Sequence, residues 1–584
     1  MASRFHTIKW AIPAGFATVL AWFMSMLRSP FDADFITNPD ALVRLERIRQ
    51  LMDGGGWFEP ALMRVSSAQG IVLHWSRPLD VLTTIAAWPL SLFMEVQEAV
   101  LIGAMGLALV MYVLTVFAVF WVLNRGFKAP AWAAGLGALS FLTLTDMMAI
   151  FAAPSWPDHH GLMVFLFVLS TGLALRMIKD HALGVMFGVV QGIAVWVSPE
   201  SLVVLAGLSV GLVLVWIKDG DRAISRQGFR SAIGLGVTIL LALGIEYKMA
   251  WPGFALDRLS GFSLLVAFVV FVFWGGLSYL PKLFLRSPLR RMACALVLAG
   301  LCLGFVVVLV PHSLAGPMAA ADPWFMQSWS AMFGDSFRQS VWDGWVMMVA
   351  AIVVLLGLRH YENLALLAPM LVLSFTLSAL DSTRWVIYGE TLAIMVLVLG
   401  FAHLWPRLRD MGDGLGGILA RACSLTAFIV FPIAMSFMTV STETQGSPVG
   451  ANSLQSLAQD CKVQSLLPVL QGQPKTRVLA HPNVAPAILY FTQHDVVAVP
   501  IHPNAQAVHD SVRILMAKDD AVAFDLVKRY GIGLIVLCPT GYEAKAYGVE
   551  PDGLYARTLK GHGPAWLKPI EVGTSVFRVF AVQN

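Results

Sequence analysis

Long apolar runs separated by short polar stretches fill the chain as far as residue 438, and beyond that point the period changes. Runs at 10–27, 97–123, 131–151, 161–177, 182–198, 201–217, 231–247, 261–281, 292–311, 343–358, 364–380, 385–403 and 416–438 predict about thirteen membrane-spanning helices. An odd number puts the two termini on opposite sides. The first run follows Arg4 and Lys9 and lacks a small-residue cleavage site, so it reads as a retained anchor. From 441 to 453 the composition turns to Ser, Thr and Gly, as in a linker. Past it, strand patterns at 477–480, 495–501, 533–538 and 575–582 alternate with helical patterns at 484–492, 505–516 and 520–530. That alternation predicts a small three-layer α/β domain over 454–584, with a largely parallel sheet, behind a membrane domain over 1–440.

One polar interval, 28–80, is too long for a connector and too rich in acids, arginines and aromatics to be inert; it opens an outer loop that runs to 96. Asn38-Pro39-Asp40 reads as a helix start, with Asp40 able to cap the free N–H groups. Leu42, Leu45, Ile48, Leu51 and Met52 form an apolar stripe beside a basic face of Arg44, Arg47 and Arg49, and Gly54-Gly55-Gly56 ends the run. The spacing predicts an amphipathic helix lying along a membrane surface.

Composition agrees: 57% of the 584 residues are hydrophobic, 13% are charged, and mean hydropathy is +0.72. The net charge of +4 sits in short loops, where it sets topology and implies no nucleic-acid partner. With the N-terminus cytoplasmic, the lysines and arginines gather in the inner loops, and the turns at 152–160 and 199–200 carry none. The 28–96 loop, the 312–342 loop and everything past 441 then lie on the outer side. Of five cysteines, only Cys461 and Cys538 fall in that exported part, which predicts a disulfide between them in an oxidising compartment.

Candidate chemistry clusters at the outer turns. Trp156-Pro157-Asp158-His159-His160 places an acid and two imidazoles at a membrane mouth, a set able to ligate a divalent metal or hold a diphosphate through one; it also fits a helix cap with two interfacial histidines. Glu200 opens the next span at the positive end of its helix. Arg384 presents a permanently charged fork suited to phosphate, with Asp381 as an alternative partner. In the first loop, His74, Trp75 and Arg77 crowd donors and a stacking face beside an apolar segment; interfacial anchoring fits them equally. The loop from His312 to Asp343 holds Trp324, Phe325, Trp329, Phe333 and Phe337, as in an amphipathic flap, with Asp335 and Asp343 as further acids. In the exported part His502, Asn504, His509 and Asp510 follow the second predicted strand, at the carboxyl end where open α/β sheets bind, although helix capping explains some of them.

Together these features resemble the GT-C class of integral-membrane glycosyltransferases, which take sugars from polyprenyl-phosphate or polyprenyl-diphosphate donors. About thirteen spans with an outer C-terminus is similar to the STT3-type oligosaccharyltransferase catalytic subunit, and the 38–57 stretch and the Trp-Pro-Asp-His-His turn resemble bacterial GT-C-like proteins. The resemblance implies that Asp40 is the first-loop catalytic acid and that Asp158 with His159 or His160 forms the second motif. Arg384 then contacts donor phosphate, with Arg44, His74 and Arg77 as further donor contacts. Glu200, Trp75, His502 and Asn504 are candidates on the acceptor side. A divalent cation, Mg²⁺ or Mn²⁺, would sit on Asp40, Asp158 and His159. Two departures stand out. Asp-His-His replaces the paired acids of many members, and the Trp-Trp-Asp-Tyr-Gly sequon-binding stretch is absent from the exported part. The expected function is sugar transfer from a lipid-linked donor to an envelope glycan, lipid or protein acceptor at the outer face of a bacterial inner membrane. A lipid-linked glycan transporter or flippase, or a non-catalytic polysaccharide assembly protein, are the alternatives.

Overall fold

A computed structural model of the chain describes residues 33–36, 38–58, 61–66, 70–144, 155–180, 182–248, 252–316, 322–325, 338–357, 366–380, 383–412, 414–424, 461–573 and 575–583. The run at 10–27, the linker at 441–453, and Trp329, Phe333, Asp335, Phe337 and Asp381 lie outside the described residues, as does the Asp343 side chain.

Twelve of the predicted apolar runs therefore meet described helices, and seven of these are long and apolar enough to cross a membrane: α3 (Val96–Trp121, continued to Gly126), α5 (His160–Met177), α7 (Ser201–Asp219), α8 (Arg222–Tyr247), α9 (Gly261–Ser278), α10 (Pro288–Leu309) and α13 (Val386–Arg409). The remaining five meet shorter apolar stretches, among them α4 (Ala131–Leu144), α6 (Leu183–Val197), the Gly344–Leu356 part of α11 (Arg338–Gly357) and α12 (Ala368–Leu380). The chain is a multi-pass helical membrane protein. Its bundle is built around α13, whose apolar stretch is 83% buried, against 11% for α10 at the rim. Between α6 and α8, Gly188 and Gly234 let the two backbones touch; a Cβ on either would overlap the facing carbonyl of Ser231 or Val185. That tight pair fixes the end of α6, and so the turn that carries Glu200.

The first loop holds α1 (Pro39–Met52), a two-stranded ribbon of β1 (Ala61–Leu62) and β2 (Ile71–Val72), and α2 (Pro78–Ala87). The expectation for α1 fails in one respect: it does not lie on a membrane surface. Residues Ala41 through Ile48 are all buried, the arginines Arg44 and Arg47 included. The basic face is covered because its charges have partners, with Arg47 Nη2 donating to Asp80 at 2.7 Å and Arg49 and Arg64 meeting on Glu46.

Covering it is the C-terminal α/β unit, a five-stranded sheet ordered β4-β3-β5-β7-β6 from β3 (Arg477–Leu479), β4 (Asp495–Val496), β5 (Ile532–Leu537), β6 (Leu567–Ile570) and β7 (Arg578–Val582). The sheet is mixed rather than largely parallel: β4-β3-β5 run parallel, but β7 pairs antiparallel with both β5 and β6. Alternation along the strands sends Val478, Leu534, Val536 and Val579 to one core and Leu479, Ile535 and Leu537 to the other. The first core includes α14 (Ala485–Phe491) together with Ala41, Leu45 and Ile48 of α1, and the second is closed by α15 (Ala505–Met516) and α16 (Asp520–Tyr530). From the 312–342 loop, Trp324 rests on His509 at 4.5 Å between ring centroids and Phe325 is buried in that second core. A disulfide joins Cys461 to Cys538, as expected.

Candidate active site

The site begins at the first turn of α1. Asn38, not Asp40, is the cap: its side chain accepts from Asp40 N at 3.0 Å, and Pro39 supplies the fixed φ of the first helical residue. Freed from capping, Asp40 sits at the positive end of the helix with its Oδ1 buried and without a hydrogen-bond partner. The Asn38 amide turns the other way and donates to Asp158 Oδ2 at 3.4 Å, so one residue spans both acids. One turn along α1, on the face of Asp40, Arg44 lies 2% exposed with its guanidinium 4.7 Å over Trp75. Its Nη2 stands 3.7 Å from Asp158 Oδ1 and 3.5 Å from His159 Nδ1.

Asp158 is the hub. It accepts from His159 N at 2.6 Å, faces His159 Nδ1 at 2.6 Å, and lies 3.8 Å from His160 Nε2. The two imidazoles stack at 4.3 Å. One ligand atom from each of Asp158, His159 and His160 lies within 4.8 Å of the others, the spacing of a metal-binding trio. Asp40, expected as a ligand beside Asp158 and His159, is not in that trio, and His160 takes its place. At the far end Arg384 forms an ion pair with Glu200, whose charge is felt by His160. The result is a belt running Asp40, Arg44, Asp158, His159, His160, Glu200, Arg384.

Electrostatics separates the two acids. Burial, and then the charge of Asp158, pushes the Asp40 carboxyl up to about 8 against the pull of Arg44. Burial acts on Asp158 in the same sense but is outweighed by His159, Arg44 and His160, which hold it well below the ordinary carboxylate range. Glu200 is likewise held down by Arg384 and the histidines despite its burial. One carboxyl is thus poised to exchange a proton near neutral pH while its neighbours stay charged.

Other expected residues fall elsewhere. Arg77 spends its fork on Asp80 at 3.3 Å and the Trp57 carbonyl at 2.9 Å, so it acts as structural support rather than as a free phosphate contact. Asn504 Oδ1 accepts from Val499 N at 2.8 Å and braces its own turn. Asp510 is taken up by Gln506, Arg513 and Tyr530. His74 and His502 meet each other instead, ring centroids 4.2 Å apart, and His502 Nε2 lies 2.9 Å from Asp257 Oδ2. Burial and the His502 ring push His74 well below its ordinary value, which leaves it neutral at pH 7. Sequence reasoning missed Asn38, whose donor role is visible only once Asp158 is beside it. It also missed Asp257 with Arg258, a charged pair between the apolar runs at 231–247 and 261–281.

No family model matches the chain, and no curated relative matches it. Solved structures do. The oligosaccharyltransferase AglB from Archaeoglobus fulgidus, in complex with an inhibitory peptide and a dolichol-phosphate, aligns at a TM-score of 0.65 and 15% identity over 91% of this chain and 69% of that one. The Archaeoglobus fulgidus oligosaccharyltransferase tethered with an acceptor peptide containing the NVT sequon aligns at 0.64 and 15% over 99% of this chain and 74% of that one. Its complex with Zn and sulfate aligns at 0.60 and 15% over 90% and 67%. At such identity the likeness is one of fold, and this chain has the GT-C fold: a helical membrane bundle, a long first loop and a C-terminal sheet unit.

Proposed function

We propose that the chain is a glycosyltransferase that moves a sugar from a polyprenyl-(di)phosphate donor to a hydroxyl-bearing acceptor at the outer face of a bacterial inner membrane. The observation that carries this reading is the belt itself: a carboxyl able to take up a proton, Asp40, and an unburied guanidinium, Arg384, lie at opposite ends of one acid–imidazole cluster. Arg384 is about a third exposed and pairs with Glu200, and its guanidinium would exchange that carboxylate for an incoming phosphate. Asp40 accepts the acceptor hydroxyl's proton while that oxygen attacks the anomeric carbon; the bond to the lipid phosphate breaks, and Arg384 with His160 balances the charge left on it. A single displacement inverts the anomeric centre. The ionised Asp158 keeps Arg44 from pairing with Asp40 alone.

Asp158, His159 and His160 suit a divalent cation, and two imidazoles beside one carboxylate favour Mn²⁺ over Mg²⁺. When bound, such a cation supplies positive charge to the leaving phosphate. The Archaeoglobus fulgidus structures of like fold, described with dolichol-phosphate, with an acceptor peptide, and with Zn and sulfate, support this choice of partners.

The test is turnover by purified protein in nanodiscs with defined polyprenyl-phosphate sugars. Asp40→Asn and Arg384→Ala are each expected to lower transfer about 10²-fold or more with expression and thermal midpoint unchanged. Full activity in both variants would remove the assignment.

A further inference from the structure

We propose that the turn between α9 and α10, residues 279–290, is a docking surface for anionic phospholipid at the membrane face opposite the belt. Its position follows from the helices it joins. α9 starts just past Asp257, which faces His502 of the C-terminal unit, so its first residue lies on the side of that unit. Its eighteen residues carry the chain about 27 Å, close to the thickness of a hydrocarbon core, before it turns at Tyr279 and comes back as α10. The turn therefore sits at the other boundary of the bilayer.

Two kinds of uncovered side chain meet there. Lys282, Arg286 and Arg290 are exposed, no Asp or Glu occurs in the sequence from 258 to 321, and among the described residues no carboxylate pairs with any of the three. Beside them Tyr279, Leu283, Phe284 and Leu289 are exposed as well, Tyr279 by 80% and Leu289 by 69%. Positive charge alone would mark only the face held back during insertion. Uncovered rings and leucines on the same turn add a second requirement, hydrocarbon directly below the charge, and a phospholipid layer meets both at once. Hydrocarbon is already at hand, because α10 leaves the turn as the rim helix with only 11% of its apolar stretch buried. Anionic head groups are what the cations further need. The turn is held in place for them: Arg291 donates to the Ile217, Lys218 and Leu285 carbonyls at 2.8, 3.0 and 2.6 Å, and Arg222 to the Leu280 carbonyl at 2.6 Å. Arg290 is drawn over the turn by the Leu283 carbonyl at 3.2 Å. Asp221, at the start of α8, is occupied as that helix's cap, accepting from Ala223 N at 2.7 Å.

The experiment places the full-length protein in nanodiscs carrying a trace of diazirine-bearing phosphatidylglycerol or of phosphatidylcholine with the same chains, and maps the cross-links by peptide mass spectrometry. In the wild type, phosphatidylglycerol should label residues 279–290 about tenfold or more over phosphatidylcholine, and the excess should shrink as salt is raised. Replacing the three cations together, Lys282→Gln, Arg286→Gln and Arg290→Gln, should bring the excess under about twofold. Lys518→Gln, Lys528→Gln and Arg529→Gln, which remove the same charge from exposed positions of the C-terminal unit, should leave it unchanged. Equal labelling by the two lipids in the wild type, a measurement that needs no variant to fold, would overturn the proposal. So would an excess that survives the first triple substitution or falls equally in the second. Cross-links joining two copies of the chain at 279–290 in place of lipid labelling would overturn it too, since the occupant would then be protein.

Discussion

In the proposed transfer Asp40 is the proton acceptor, and its environment gives a signed expectation for pH. A proton acceptor must be ionised, and burial beside the Asp158 charge places that ionisation at about 8 instead of in the usual carboxylate range. Transfer should therefore rise about tenfold per pH unit below 8 and level off above it, a limb that a pH–rate profile would show. Asp158→Asn removes one of the two causes of the upward shift, so the limb that survives in that variant should move to lower pH. A limb that stays in place would deny the coupling of the two acids. Much of this site was legible: Asp40 after a helix-starting Asn-Pro, and the Asp-His-His turn, are local patterns with local physics. Asn38 was read only as part of the cap, because its second hydrogen bond reaches across 120 residues to Asp158. His74 was legible as a donor, but the His502 ring it meets, and the Asp257 that His502 faces, come from segments that only folding brings together.

At the scale of elements, α1 shows how an amphipathic period can mislead. Its stripe was read correctly, yet a basic face reads as solvated only while its counter-charges are out of sight, and here Asp80 on α2, with Glu46 on α1 itself, supplies them inside the protein. Asp80 has no exposure at all and takes Arg47 at 2.7 Å and Arg77 at 3.3 Å. Asp80→Asn would leave two buried guanidinium groups without a counter-ion, a loss on the order of 3–5 kcal/mol. The thermal midpoint of the purified protein should fall well below that of the wild type, and by more than for Asp525→Ala, which breaks only an exposed helix pair. The sheet carries a parallel lesson. Helices at Ala505–Met516 and Asp520–Tyr530 were legible to the residue from their period, but the antiparallel return of β6 and β7 depends on pairing that no local pattern encodes.

For the whole molecule, the question is whether the C-terminal unit is an appendage or part of the frame of the candidate site. A Ser/Thr/Gly-rich linker before it suggested an independent domain, and hydrophobic runs cannot reveal which surfaces later share a core. The contacts favour a frame. Ala41, Leu45 and Ile48, on the helix that begins with Asp40, pack in one cluster with Val478, Ile488 and Leu534. Tyr490 donates its hydroxyl to the Gln97 carbonyl at 2.6 Å, and Val463 N donates to Asp34 at 2.7 Å. Arg64 reaches the carbonyls of Thr492 and His494 at 2.8 and 2.6 Å, while Val65 adds a parallel bridge to the sheet edge at Val496. Ending the chain at residue 453 would strip this cover from α1, exposing the apolar side chains that set where Asp40 points; each large one costs about 1.5–3 kcal/mol when returned to water. The truncated protein is expected to lose transfer and to be cut by protease within residues 38–96 while its spans stay intact. Residues 1–453 and 454–584 expressed as two polypeptides should instead purify together and recover activity, because the joining forces are the shared core and these hydrogen bonds. Transfer retained by the truncated chain alone would show that the first loop holds its geometry without the sheet.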